Sequence, residues 1–380
     1  MKSCIVNFAT GGHHSFYISQ VAHLDSVVGF VGNSSHLKYF LGKTCKFGVI
    51  SNNSRLKLRS KKHQIQEYLK ENRTSKRLFL MVADEMSSVI FLNLLLGRGS
   101  TIGGVTVSGI WFRSNFLYRK GIFAELKKRI LLIFLTKWSS QSGLKYLDDH
   151  LASIIELRLG KRPGSLWCRE PYSITKRAEA KDHLSEQATL LFVGEHAPRK
   201  GTAWAVETIA NSEITPSQIR IKIIGRLLDK AVLPAILKAR SRGFTIILND
   251  QFVSSEEYEA AFKEADIVML PYQDFGGSSG VLIEAAQFQR PFIATNAGTI
   301  GRIAGGESAV NTFSECSQRE FISSIQDTLA SYSKSDWVLQ FDAILARCSL
   351  DEFQARRVCE ETHCAMGRML VRVCHRRAHL

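Results

Sequence analysis

Ile267-Val-Met-Leu-Pro-Tyr272, a short loop, and then Gly276-Gly-Ser-Ser-Gly-Val-Leu-Ile-Glu-Ala-Ala286 decide how the rest of this chain is read. The first run is brief and apolar, as a parallel strand buried on both faces is. Two glycines follow, which let a backbone come close to a ligand, and Ser278 or Ser279 is placed to cap a helix. The free N–H groups at such a helix start attract anions, so the stretch has the outline of a diphosphate cradle. Glu284 is the charged residue of Val281-Leu-Ile-Glu-Ala-Ala286, and its carboxylate suits vicinal ribose hydroxyls.

The same grammar continues on both sides. Leu190-Leu-Phe-Val193, Ile221-Lys-Ile-Ile224, Phe244-Thr-Ile-Ile-Leu248 and Phe292-Ile-Ala-Thr295 are further short apolar runs. Between them residues 201–211, 229–242 and 254–264 show helical spacing, and Ser254 or Ser255 caps the last of these. Alternating strands and helices predict a doubly wound α/β domain over about residues 186–345. In the first half, strands are expected at 4–8, 27–31, 47–50, 78–82 and 105–108, and helices at 15–24, 63–71, 87–96 and 123–139. Pro and Gly in Leu159-Gly-Lys-Arg-Pro-Gly-Ser165 and Arg169-Glu-Pro-Tyr-Ser173 mark the hinge. The chain is thus read as residues 1–170, residues 171–345, and a basic helical segment over 346–380.

Ligands of doubly wound sheets sit at the carboxyl ends of strands. Leu191-Phe-Val-Gly-Glu-His-Ala-Pro-Arg-Lys-Gly201 is a second such junction, with Gly194 in the turn and Lys200 poised beside a helix start to pair with phosphate. The reading requires Lys200 and Ser279, from separate strand ends, to converge on one pyrophosphate.

The order and spacing of Phe192-Val-Gly194 with Arg199-Lys-Gly201, Ala265-Asp266-Ile-Val-Met-Leu-Pro-Tyr272, Ser279-Gly-Val-Leu-Ile-Glu-Ala-Ala286 and Arg290-Pro-Phe-Ile-Ala-Thr295 resemble the C-terminal domain of GT-B-fold family 4 glycosyltransferases. That resemblance implies an α/β fold of two Rossmann-like domains facing across a cleft, the first serving the acceptor and the second the donor. It implies that Lys200 contacts the donor phosphates, that the backbone of Ser278, Ser279, Gly280 and Val281 caps the distal phosphate, and that Glu284 binds ribose. Ala9-Thr-Gly-Gly-His-His14 resembles the glycine-rich loop near the transferred sugar, which brings Gly12 and His13 into the candidate site. Val105-Thr-Val-Ser-Gly-Ile-Trp-Phe-Arg113 carries Ser108 where many relatives have His, and offers Arg113 to the acceptor or the leaving diphosphate. Asp84 is a further candidate. His13, Arg113 and Lys200 are the expected catalytic residues.

Two departures stand out. Glu195 follows the Val-Gly turn where the family often has Arg, with Arg226 after Ile223-Ile-Gly225 as a substitute cation. Gly276 occupies the position of the first acid in the usual pair that ends at Glu284. The implied activity is sugar transfer from a nucleotide-sugar donor to a glycan or lipid-linked acceptor, with retention, in surface polysaccharide or glycoconjugate synthesis. No metal or other cofactor is expected, and Asp148-Asp149 lacks the spacer of a D-x-D motif. A nucleotide-sugar epimerase on the same fold, and a non-catalytic glycan-binding protein with a degenerate donor site, remain alternatives.

The 380 residues carry a net charge of +15. Residues 1–170 hold 26 Lys and Arg against 10 Asp and Glu, and the remainder 24 against 25. The basic half points to an anionic partner, and Lys127-Lys-Arg-Ile-Leu-Leu-Ile-Phe-Leu-Thr-Lys-Trp138 suits an anionic membrane surface. No secretory signal and no apolar run of spanning length is read, so a cytoplasmic, peripheral location is expected. Eight scattered cysteines fit a reducing compartment. Cys359, His363, Cys364, Cys374 and His375 lack the paired spacing of a zinc site. Leu41-Gly-Lys-Thr44 lacks the earlier glycine of a P-loop, and no nucleic-acid signature is found.

Overall fold

The computed structural model describes residues 3–7, 27–33, 46–50, 58–72, 77–80, 82–112, 114–119, 121–168, 177–277, 279–304 and 312–348. The chain divides into two compact units, the second running from Tyr172 to Ser349.

In the first unit, β1 (Ser3–Asn7), β2 (Val27–Asn33) and β3 (Lys46–Ile50) precede α1 (Leu58–Glu71). Then come β4 (Arg77–Leu80), α2 (Ser87–Leu95), β5 (Thr101–Ile102), β6 (Val105–Trp111), α3 (Ile122–Ser142), β7 (Lys145–Tyr146) and α4 (Asp149–Leu159). The strand order is β3-β2-β1-β4-β6-β5, with β7 also paired to β6. Every pairing is parallel except the β5–β6 hairpin, which turns at Gly103 and Gly104. Trp138 clamps α3 to the sheet by donating its indole N–H to the Val107 carbonyl at 2.9 Å. The expected strands and the helices at 63–71, 87–96 and 123–139 are found with shifted ends. The helix expected at 15–24 lies outside the described residues.

Helix α4 is an addition to the sequence reading. Asp148 and Asp149 are not a failed acid pair but a helix start: Asp148 accepts the Leu151 N–H at 3.0 Å on one oxygen and the Tyr118 hydroxyl at 2.7 Å on the other.

The second unit consists of β8 (Ala188–Val193), α5 (Thr202–Ala210), β9 (Ile219–Ile224), α6 (Val232–Ser241), β10 (Ile246–Asn249), α7 (Ser255–Glu264), β11 (Ile267–Leu270), α8 (Gly280–Gln287), β12 (Phe292–Thr295), α9 (Gly298–Ala304), β13 (Thr312–Phe313), α10 (Gln318–Ala330) and α11 (Lys334–Cys348). All pairings are parallel in the order β10-β9-β8-β11-β12-β13. Because the side chains of a strand alternate, Leu190 and Phe192 of β8 face one core with α5 and α6, while Leu191 and Val193 face another with α7 and α8. Burial on both faces is why these strands read as continuous apolar runs. Ser254 caps α7 through a reciprocal pair with Glu257: the Ser254 hydroxyl accepts the Glu257 N–H at 3.2 Å, and Glu257 accepts the Ser254 N–H at 2.8 Å.

The winding reverses between β8 and β11, and a crevice for ligands opens at the carboxyl ends of such neighbours. Among the described residues no helix is long and apolar enough to cross a membrane. The basic segment beyond α11 lies outside the described residues.

Candidate functional site

The loops that leave β8 and β11 are held together by backbone contacts that tolerate no side chain. Gly201 has φ +65°, and a Cβ there would stand 1.8 Å from the Pro271 carbonyl oxygen. Beside it the Gln273 N–H donates to the Arg199 carbonyl at 2.9 Å. Gly225 presses on the Gly194 turn in the same way, with an added Cβ 2.2 Å from the Gly194 oxygen. Gly201 and Gly225 are therefore required by space, beyond their backbone freedom, whereas Gly194 is open to a Cβ and serves through its φ of +104°.

His196 pins this loop from below. It is buried, with Nε2 at 3.1 Å from the Ile224 carbonyl and Nδ1 at 2.9 Å from the Thr202 hydroxyl. A carbonyl only accepts, so Nε2 carries the proton and Nδ1 accepts from Thr202. Burial pushes the ring's pKa down to about 4; the Ile224 carbonyl opposes this and the charge of Lys200 adds to it. A neutral ring at physiological pH makes His196 a positioning residue for the turn between Gly194 and Thr202.

Lys200 then donates from Nζ to the Tyr272 hydroxyl, which lies 3.0 Å from the Ser279 hydroxyl. Lys200 and Ser279 thus both reach the hydroxyl of one tyrosine. Among the described residues no carboxylate lies within ion-pair distance of Lys200. Ser279 occupies the N-cap position of α8, but its side chain makes no cap and turns to Tyr272 instead. The start of α8, formed by Gly280 and Val281, thus has its amides uncapped beside an ammonium and two hydroxyls. An ammonium, hydroxyls and helix amides at one strand end form a receptor for an anion.

The glycine loop is braced from behind by α9. Thr299 donates its N–H and its hydroxyl to the Gly276 carbonyl at 3.2 and 3.1 Å, and a Cβ on Gly298 would stand 2.5 Å from the Gly276 Cα. Gly276, where the resemblance implied an acid, is a backbone contact.

Glu284 lies in the same helix as Ser279 and is buried. Its Oε2 is 3.4 Å from Nη1 of Arg177 and has no hydrogen-bond partner. Burial pushes the Glu284 carboxyl above its usual range; Arg177 pulls it back, and Glu259, itself 3.6 Å from Arg177, pushes it up. Arg226 is exposed and does not join the Lys200 cluster. Gly12, His13, Arg113 and Ser278 lie outside the described residues. In the first unit, Asp84 accepts the Phe112 N–H at 2.9 Å, tying the turn after β4 to the end of β6. Ser108 is buried within β6, where a Cβ on neighbouring Gly109 would stand 2.4 Å from the Leu80 oxygen.

Residues 187–331, which contain Lys200, Tyr272, Ser279 and Glu284, match the family model described as glycosyl transferases group 1. This stretch is similar to a group 1 glycosyltransferase domain. The structure matches the lipopolysaccharide outer core galactosyltransferase WaaB, with 14% identity and a TM-score of 0.59 across 90% of this chain and 95% of that one. It also matches HepE of Anabaena in complex with UDP (10% identity, TM-score 0.60, 100% of both chains). A third match is the sucrose-phosphate synthase of Thermosynechococcus elongatus (11%, 0.61, 100% of this chain and 99% of that one). The fold is therefore that of the GT-B glycosyltransferases. Comparison with curated protein sequences gives no match.

Tyr272 and Arg177 escaped the sequence reading as site residues. Tyr272 was visible only as the end of a strand motif. Arg177 lies more than a hundred residues before Glu284, outside every motif, and only the fold brings it there.

Proposed function

We propose that this protein transfers a hexosyl group from a nucleotide-sugar donor to a glycan or lipid-linked acceptor, with retention of anomeric configuration, in surface polysaccharide or glycoconjugate synthesis. The observation that carries the reading is the Lys200–Tyr272–Ser279 string at the uncapped start of α8. Negative charge that develops on the leaving diphosphate would be met there by a fixed ammonium and by oriented amides, which lowers the barrier without reorganisation. The leaving group's charge needs no metal in this scheme, and no other cofactor takes part.

Glu284 holds the ribose, and His13 and Arg113 complete the catalytic set from the first unit. HepE was solved with UDP, with UDP and glucose, and with UDP-glucose, which supports a nucleoside-diphosphate donor here. The name of WaaB supports a place in cell-surface glycan assembly. The protein works in the cytoplasm, on the inner face of an anionic membrane.

Titration of the purified protein with UDP, ADP and GDP, read as a rise in unfolding temperature, tests the donor site. Release of the nucleoside diphosphate only when acceptor is present separates transfer from epimerisation. If no nucleotide shifts the transition, the donor reading fails and the glycan-binding alternative gains.

A further inference from the structure

Helix α3 is apolar on two opposite sides. One side, with Leu132, Leu135 and Trp138, is buried against its own unit. The other exposes Ile122 and Phe123 at 88% each, Leu126 at 58% and Ile133 at 63%. Residues 122, 126, 130 and 133 are four, four and three apart, so with Ile130 at 45% exposure they form one ridge along the helix. Water-facing aliphatic and aromatic side chains in such a contiguous row are costly unless something covers them.

The charges on this helix say what covers it. Lys137 continues the ridge, while Lys127 and Arg129 stand exposed on its two flanks. The one acid of α3, Glu125, is engaged by Lys128 at 3.3 Å. A protein partner usually meets an apolar centre ringed by a polar, hydrogen-bonding rim. An apolar ridge bordered on both sides by cations instead matches the headgroup boundary of an anionic bilayer, where apolar side chains enter the acyl region and cations remain at the phosphates. The adjacent helix α2, packed on α3 through the Phe91–Phe134 ring contact at 5.3 Å, also exposes Leu92 and Leu95, and Leu96 just past its end is exposed as well.

We infer that the outer face of α3 is the membrane-docking surface of this protein, and that its ligand is an anionic lipid bilayer. This deepens the membrane partner proposed above and is independent of the donor site.

Flotation of the full-length protein with vesicles of phosphatidylcholine alone, or of phosphatidylcholine mixed with phosphatidylglycerol, tests it. The wild type is expected to float with the anionic vesicles and to be released by salt. Phe123→Ser with Leu126→Ser should lower partitioning about tenfold or more, the scale of losing two buried side chains. Both positions are exposed, so the unfolding temperature and UDP affinity should be unchanged. Lys127→Glu with Arg129→Glu should abolish the preference for anionic over neutral vesicles. The inference is overturned if the wild type stays with the soluble fraction, or if both double variants float as it does. It is equally overturned if the wild type is a dimer that Phe123→Ser with Leu126→Ser dissociates, since a second copy would then cover the ridge. Loss of UDP binding in the wild type would bear on the donor site alone.

Discussion

The Tyr272 hydroxyl stands 3.0 Å from the Ser279 hydroxyl while receiving the Lys200 ammonium, so one phenol ties the loop after β8 to the loop after β11, with Lys200 and Tyr272 themselves 72 residues apart in the chain. Lys200 would be a long flexible cation in a loop without it, and Ser279 would be free to cap its own helix. Tyr272 fixes both in place before any ligand arrives, and preorganisation of this kind reduces the ordering cost of binding.

Tyr272→Phe should therefore keep the fold, since the ring stays in the core, but should weaken binding of the proposed nucleoside diphosphate, with UDP as the probe, about tenfold, the scale of one hydrogen bond to a charged group. Lys200→Ala should weaken it by at least as much. Calorimetric titration with UDP measures both. Equal affinity in wild type and Tyr272→Phe would show that the string does not organise the site.

Gly201→Ala forces a Cβ to 1.8 Å from the Pro271 oxygen at φ +65°. Gly160 has nearly the same φ, +60°, with nothing within 4 Å of an added Cβ. Gly160→Ala should thus lose only the backbone strain, about 1 kcal/mol, with UDP affinity intact. Gly201→Ala should lose more stability and should also lose UDP binding, because the loop bearing Lys200 must move off β11. Denaturant unfolding and UDP titration of the two variants side by side make the comparison.

The two sites that these variants probe differ in how legible they were. β8 and β11 announced themselves because both of their faces are buried, and Lys200 and Ser279 followed from their places at strand carboxyl ends. Tyr272 did not, because a tyrosine after proline at a strand end carries no periodic or charge signal. Glu284 was legible as the lone charge in an apolar helix, but its partner Arg177 was not, since tertiary contacts between distant segments leave no local trace. On α3, the contiguous run Ile130-Leu-Leu-Ile-Phe-Leu135 read as uniformly apolar. The fold splits it, with Leu132, Phe134 and Leu135 turned inward and Ile130 and Ile133 outward. Helix α4 was missed because its first acids were weighed as metal ligands instead of as a cap.

Arg177 and Glu284 yield a pH-dependent expectation. Glu284 has a folded pKa above its unfolded value of 4.5, so relative to the unfolded chain its charged form disfavours folding, and this penalty is felt as pH rises through the folded value. Arg177 offsets the penalty. Arg177→Gln should therefore be less stable than the wild type near neutrality by about 1 kcal/mol, a modest figure because the guanidinium is partly exposed. The gap should close on acidification, as Glu284 takes up a proton. Thermal unfolding of both proteins across the acid-to-neutral range reads this directly, and a gap independent of pH would mean that Arg177 acts by packing on Phe288 and not by its charge.

Asp266 gives the opposite sign. It is fully buried at the start of β11 and accepts from Lys181 Nζ at 2.6 Å, the Ser185 N–H at 3.2 Å and the Thr189 N–H at 2.8 Å. Burial acts to raise its pKa, but these donors outweigh it and hold the carboxyl below its ordinary 3.8. A depressed carboxylate stabilises the fold fully above the unfolded pKa, and the contribution disappears as pH falls through the lower folded value. Asp266→Asn leaves Lys181 facing a neutral amide that cannot accept all three bonds, which should cost about 3 kcal/mol near neutrality. Most of that difference should vanish at strongly acidic pH, where the wild type has lost the same charge. Because Asp266 ties the segment that enters the second unit to the strand that leads into Tyr272, the variant should also bind UDP less tightly at temperatures well below its unfolding midpoint. Urea unfolding at neutral and acidic pH, with UDP titration at low temperature, tests both parts, and a neutral-pH stability equal to the wild type would show that the buried carboxylate contributes nothing to holding this unit together.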